Sequence, residues 1–253
     1  MAIILWHIEL SHYNEKARWA LDYKEIPYTL RTPLPGLHGF AALAITRGKQ
    51  RRLPVLDLDG RRIGDSTAII AALEDYRPDP PLYPSDREER IRALNLEDYF
   101  DEELGPRLRR YVWQYTLDDT SATVESLMAS ASPVRKRVMA KIVPLMRPVV
   151  RKDFEVNEAA AAEALAGIRA AMDRLESELQ PSGYVVGDSF TVADLTACAM
   201  FTPLLAPPQR PYAPAKVAPQ VMELREELAA RPGGKWIEEM YARHRGIPAA
   251  IVA

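Results

Sequence analysis

Apolar positions along this chain recur at two different spacings, and the change between them falls near residue 77. Residues 3–8, IILWHI, are a short apolar and β-branched run, the mark of a buried strand. In NEKARWALDYKE, which follows, Ala17, Ala20, Leu21 and Lys24 recur at helical spacing and predict a strand, a loop and a helix in succession. IPYTLRT then reads as a second strand and GFAALAITRG as a short helix. Residues 54–58 and 61–63 flank Asp59-Gly60, a dipeptide suited to the positive φ values of a two-residue hairpin. With the helix opened by GDSTAII, the predicted order is β-α-β-α-β-β-α.

The segment RPDPPLYPSD carries four prolines and no helical period, so residues 78–86 read as a linker between a domain at 1–77 and a second at 87–253. The second half is helical almost throughout. REERIRALNLEDYFDEELGPRLRRYVWQY is one long helix or a pair kinked around Gly105-Pro106, and NEAAAAEALAGIRAAMDRLESEL has very high helix propensity. Later helices are divided by APPQRPYAPAK and by Pro232-Gly233-Gly234, with KWIEEMYARHR as the last.

Composition narrows the field. The 253 residues are enough for two cores, and 47% apolar with 27% charged residues matches an ordinary globular protein. A formal charge of −2 gives no global attraction to nucleic acid, which is not expected as a partner. The single cysteine, Cys198, excludes an intrachain disulfide, a cysteine zinc cluster or a C-x-x-C redox pair, and no metal site is expected. The opening MAIILWHIEL lacks a basic flank and a cleavage site, and no apolar run reaches the ~20 residues that span a bilayer. These features point to a cytoplasmic enzyme or binding protein without membrane insertion.

Two stretches carry candidate chemistry. At the entry to GDSTAII, Ser66, Thr67 and the unpaired N–H groups of a helix start suit a carboxylate, and Asp65 beside them suits an ammonium. Together they fit one amino-acid zwitterion; Asp65 or Ser66 also reads as a simple helix cap. Pro54 opens the third strand without a ladder donor, and a cis Leu53–Pro54 bond would turn the Leu53 N–H and C=O outward toward a bound peptide. The basic segment 133–152 holds seven cations and no acid, and reads as a solvated face, a cover that attracts an acidic substrate, or a membrane-surface contact. Tyr111, Trp113 and Tyr115 line either a ligand pocket or the core.

The β-α-β-α-β-β-α order, the RRLPVL step into a hairpin, the GDSTAII helix entry, the proline-rich linker and the helical second half together resemble a cytosolic glutathione transferase along essentially the whole chain. GDSFTVADLTACAMF is similar to the capped core helix of that family: Thr191 caps, Asp194 reaches back as the third-position acid, and Phe190 packs on Leu195. The resemblance implies a thioredoxin-like domain followed by an all-α domain, with glutathione as co-substrate and pairing into a homodimer. Pro54 is then the family's cis-proline, Leu53 offers its backbone to the cysteinyl residue, and Asp65 and Ser66 hold the γ-glutamyl head.

The family places its thiol activator just after the first strand, where a hydroxyl and a helix N-terminus lower a thiol pKa of about 8.5. In LSHYNEK, Ser11 occupies that place, in the manner of serine-type members, although it also reads as a helix N-cap. Tyr13 is a rival donor, His12 a weaker one, and Asn14 a further donor to the sulfur. This chain departs from the family pattern: His12 stands where a proline is usual and Asn14 where a cysteine is often found. Mixed-disulfide chemistry then lacks a nucleophile, since Cys198 reads as a buried core residue. The implied function is attack of the glutathione thiolate on a small, mostly apolar electrophile, by conjugation, dehalogenation or ether cleavage, a detoxification chemistry. The alternatives are a non-catalytic ligand-binding scaffold and a glutathione-dependent reductase or peroxidase.

Overall fold

The structure is a computed structural model that describes residues 3–33, 38–212 and 216–251. The first domain runs β1 (Ile4–Trp6), α1 (His12–Tyr23), β2 (Tyr28–Arg31), α2 (His38–Ile45), β3 (Val55–Leu58), β4 (Arg61–Gly64) and α3 (Ser66–Tyr76), in the predicted order. Central β1 pairs parallel with β2 and antiparallel with β3, setting Leu5 opposite both Leu30 and Leu56. Asp59 and Gly60 both take positive φ, 52° and 90°, at the β3–β4 turn. That is the backbone a tight hairpin requires.

A fifth strand, β5 (Ala250–Ile251), joins β2 in parallel, so the sheet order is β4-β3-β1-β2-β5. The chain thus returns from the helical half to the first domain's sheet, which amends the reading of 87–253 as wholly helical. Two residues are too few to show a period, and their partner strand lies more than two hundred positions away.

The helical half comprises α4 (Arg87–Tyr99), α5 (Gly105–Thr116), α6 (Thr120–Leu127), α7 (Pro133–Asp153), α8 (Glu158–Glu178), α9 (Val192–Leu205), α10 (Pro219–Ala229) and α11 (Pro232–His244). Between α4 and α5 the helix does not break. Residues Phe100–Leu104 form a π-helical turn instead. The irregularity therefore precedes Gly105-Pro106, where Pro106 sits in the first turn of α5 and loses no needed donor. The predicted break APPQRPYAPAK lies partly outside the described residues.

Helix α9 is buried on nearly every side, Cys198 included. It starts with the expected capping box: the Thr191 N–H and hydroxyl both donate to Asp194, at 2.8 and 2.7 Å. Phe190 packs in an aromatic nest, stacked on His244 at 4.4 Å and near Trp19 and Tyr23. Against α9 lies α1, the shared wall of the two domains, with His12 and every residue from Asn14 to Asp22 buried. Lys24, just after α1, pins the linker by donating to the carbonyls of Arg77, Pro78 and Pro80, and pairs with Glu74 at 2.6 Å.

Candidate active site

Ser11 takes extended backbone angles, φ −72° and ψ 127°, immediately before α1, and its carbonyl accepts the Glu15 N–H at 2.9 Å. By position it is the N-cap, yet its hydroxyl makes no capping bond. Nor does the half-buried hydroxyl have another partner among the described residues, so it stands unspent beside the positive end of a helix, an arrangement that stabilises an anion.

The loop that presents Ser11 is held by cations. Arg18 donates to the Ile8 carbonyl at 3.4 Å, the Glu9 carbonyl at 3.0 Å and His7 Nδ1 at 2.8 Å, while Arg210 takes the Leu10 carbonyl at 2.6 Å. Glu9 in turn accepts from the backbone and hydroxyl of Ser130, which ties the α6–α7 junction to this loop. Three successive carbonyls are therefore paired with guanidinium groups, and the loop is pre-organised.

Of the rivals to Ser11, Tyr13 is otherwise engaged, whereas His12 is shut away from solvent with its Nε2 unpartnered among the described residues. The Tyr13 hydroxyl donates its one proton to the Asp101 carbonyl in the π-helical turn at 2.7 Å. Gly105 is required here, because a Cβ would collide with that hydroxyl. Burial, more than any neighbour, raises the Tyr13 pKa far above the ordinary phenol value. His12 is buried, and burial, then Arg109 and Arg210, push its pKa well below the ordinary imidazole value.

Asn14, expected as a further donor to the sulfur, makes structural bonds. Fully buried, it accepts the Ile8 N–H at 3.2 Å and donates to the Leu53 carbonyl at 3.4 Å. It joins the loop after β1 to the step before β3. The Leu53–Pro54 bond is cis, but the Leu53 carbonyl is met by Asn14 and not left wholly free. The Leu53 N–H has no partner among the described residues.

Asp65 caps α3: one carboxylate oxygen accepts from the N–H groups of Thr67 at 2.9 Å and Ala68 at 3.1 Å. The other oxygen has no partner among the described residues and lies on an exposed side chain. Asp65 adopts φ 76°, a conformation that costs a non-glycine residue about 1–3 kcal/mol and that clusters at ligand clamps. Ser66 is the buried first residue of the helix.

Beneath these residues lies a cluster that no local spacing announced. The Lys16 ammonium is fully buried, 2.8 Å from Glu97 and 2.9 Å from the Thr67 hydroxyl, with Asp101 as a third partner. Thr67 also donates to Asp101 at 2.8 Å. Burial opposes the Lys16 charge, but Asp101 and then Glu97 hold its pKa above the ordinary lysine value. Burial raises the Glu97 carboxyl against the pull of Lys16. Through Lys16 and Asn14, α1 registers the Ser11 loop against both Leu53 and the start of α3.

Arg109 is the second unannounced feature. Its guanidinium lies 4.3 Å over the Phe154 ring and 5.9 Å from that of Tyr13. Its Nε is buried without a hydrogen-bond partner, and no carboxylate among the described residues pairs with it. Of the three aromatics, Tyr111 is core, its hydroxyl donating to the Gln220 carbonyl at 3.1 Å, with Tyr115 edge-on against it. Trp113 instead wedges between α5 and the α6–α7 hairpin.

Known proteins share this arrangement of domains. Residues 5–81 match the model of the glutathione S-transferase N-terminal domain, and residues 138–232 that of the glutathione S-transferase C-terminal domain. A maleylacetoacetate isomerase of Dictyostelium discoideum is 27% identical over 124 residues, 46% of this chain, and the match spans only 57% of that relative's length. A glutathione S-transferase structure from Rhodospirillum rubrum F11 shares the fold with a TM-score of 0.58 at 20% identity, over 93% of this chain and 91% of its own. Another, from Methylobacterium radiotolerans in complex with glutathione sulfonate, has a TM-score of 0.54 at 20% identity, over 100% and 99% of the two chains. A thioredoxin-like domain and a helical domain, matched in that order by their two family models and joined through α1, establish that the chain belongs to the glutathione S-transferase family.

Proposed function

We propose that this chain is a glutathione transferase in which Ser11 stabilises the thiolate of bound glutathione for attack on an electrophilic carbon. The observation that carries this reading is the Ser11 hydroxyl, unspent at the mouth of α1 while Tyr13 and Asn14 are committed elsewhere. The thiol proton leaves for solvent, the hydroxyl and helix N-terminus hold the anion, and the sulfur displaces a leaving group from the electrophile. The open oxygen of Asp65 and the helix start at Ser66 suit the γ-glutamyl ammonium and carboxylate, and the unpaired Leu53 N–H suits the cysteinyl carbonyl.

Turnover with a chlorinated nitroaromatic or a benzylic ether, measured for Ser11→Ala against the parent, tests the assignment. The expected loss is about ten- to a hundredfold, the worth of a hydrogen bond to a charged group. Unchanged turnover would remove Ser11 from the chemistry.

Arg109 refines the electrophile. A guanidinium without a carboxylate, beside Phe154 and Tyr13, favours a second substrate that carries an acidic group on an apolar body. Arg109→Met should raise KM for an acidic electrophile and leave a neutral one unaffected.

A second reading, a scaffold that binds without turnover, draws on the Asn14 bond to the Leu53 carbonyl, which competes with a bound peptide. Failure to be retained on immobilised glutathione, together with no thermal shift in free glutathione, would favour it.

A further inference from the structure

Helix α7 carries two populations of cation. Lys136 pairs with Glu125 at 2.9 Å, Arg151 pairs with Asp118 at 2.7 Å, and Arg147 donates to the Leu117 and Asp118 carbonyls and the Thr120 hydroxyl. All three occupy the edge of α7 that turns toward α6 and the α5–α6 junction. Arg135, Arg137, Lys141 and Lys152 are exposed and form no ion pair among the described residues. On the same outward side stand Val134, Val138, Leu145 and Val149, at 67%, 51%, 78% and 58% exposure. Their separations of four and seven residues keep them on one stripe of a helix that turns every ~3.6 residues.

The opposite side explains why this stripe is spare. Met139, Val143 and Val150 point inward and pack with Val124, Leu127 and Met128 of the α6 region and with Leu117 and Val156. These are two small clusters separate from the main core. The inward face is therefore complete. A large apolar surface left outside, with every unpaired cation of the helix around it, is not required by packing.

We propose that the outward face of α7 docks on an anionic lipid bilayer, the helix lying in the plane of the interface. Its aliphatic residues enter the headgroup boundary while Arg135, Arg137, Lys141 and Lys152 reach the anionic headgroups with their long stems. At the flank of this stripe a groove of about 330 Å³ is lined by Val134, Arg135, Val138 and Ile142, with the buried Met139 as its floor. The only acid of α7 is Asp153, its last residue, so the positive face stands out on a chain of net charge −2. A second copy of this chain is a poor occupant, since a two-fold contact through this face would set cations against cations. No helix among the described residues is long and apolar enough to cross a membrane, so the contact is superficial.

The test is sedimentation of the full chain with vesicles of phosphatidylcholine, with and without phosphatidylserine. Binding is expected only with phosphatidylserine, and should fall steeply with salt as charges are screened. Reversing Arg137, Lys141 and Lys152 to Glu should weaken it at least about fivefold per site, and Leu145→Asp should also release the protein. These side chains are exposed, and an unchanged circular dichroism spectrum and thermal midpoint establish that the variants fold. Three outcomes would overturn the proposal: no sedimentation with either vesicle, equal sedimentation with both, or variants that bind as the parent does. Self-association in ultracentrifugation that Leu145→Asp abolishes, without vesicle binding, would assign the face to a second copy instead.

Discussion

Arg245 and Glu15 lie 230 positions apart in sequence and meet at 2.7 Å, both excluded from solvent. Arg245 also pairs with Asp22 at 2.7 Å, and the Ala249 N–H donates to Asp22 at 2.7 Å, so the segment that ends in β5 is clamped onto α1. Breaking a buried pair from one side costs about 3–5 kcal/mol, because the other charge stays buried and alone. Arg245→Met should lower unfolding stability in urea by that amount. A loss below about 1 kcal/mol would show that Asp22 and Glu15 find other partners.

Tyr13→Phe separates the two donors of the Ser11 loop. Its hydroxyl serves the Asp101 carbonyl, so the variant should lose about 1 kcal/mol of stability and keep its conjugation rate within about twofold. Initial-rate kinetics decide the matter: a fall as deep as that of Ser11→Ala would return Tyr13 to the reaction.

Asn14→Ala strips partners from the Ile8 N–H and the Leu53 carbonyl at once. Leaving such groups buried costs about 1–3 kcal/mol each. Thermal unfolding should register a clear loss, and amide exchange at Ile8 should accelerate. Retained protection at Ile8 would mean that Asn14 does not organise the loop.

Acid should destabilise the fold through its histidines. Burial, then Arg18, holds His7 at about 3 against 6.5, and the other three histidines are also lowered, chiefly by burial. The unfolded chain takes up a proton below pH 6.5 where folded His7 does not. Its contribution is therefore complete above pH 6.5 and drains away as pH falls toward 3, by up to about 1.4 kcal/mol per pH unit. Asp194, held at about 6 by burial, acts in the opposite sense, its contribution lost as pH rises from 3.8 through 6. The difference between the parent and His7→Asn, followed by urea midpoint from pH 7 to 5, isolates the histidine. Parallel curves would refute its part.

The local code of the sequence carried the fold well and the site unevenly. Asp59-Gly60 marked the hairpin, Thr191 and Asp194 marked the start of α9, and Asp65-Ser66 marked that of α3, because each signal is complete within four residues. Helix α1 was legible as a helix, but not in what its charges do: Glu15, Lys16, Arg18 and Asp22 are all buried and paired with groups from residues 7, 97, 101 and 245. The partners at 97, 101 and 245 come from the other half of the chain and meet α1 only after both domains have folded, and no periodicity reveals them. For the same reason the loop pattern supplied Ser11, Tyr13 and Asn14 as candidates, whereas only three-dimensional placement distinguishes an unspent hydroxyl from a spent one.

The π-helical turn at Phe100–Leu104 acts as a phase shifter within a single rod. One surplus residue there advances everything downstream by about 100° around the axis. Deleting one residue would give a more regular helix and a worse protein, with Tyr111 rotated out of the core and Arg109 swung away from Tyr13. The local defect is what keeps the two ends of the rod facing their separate tasks.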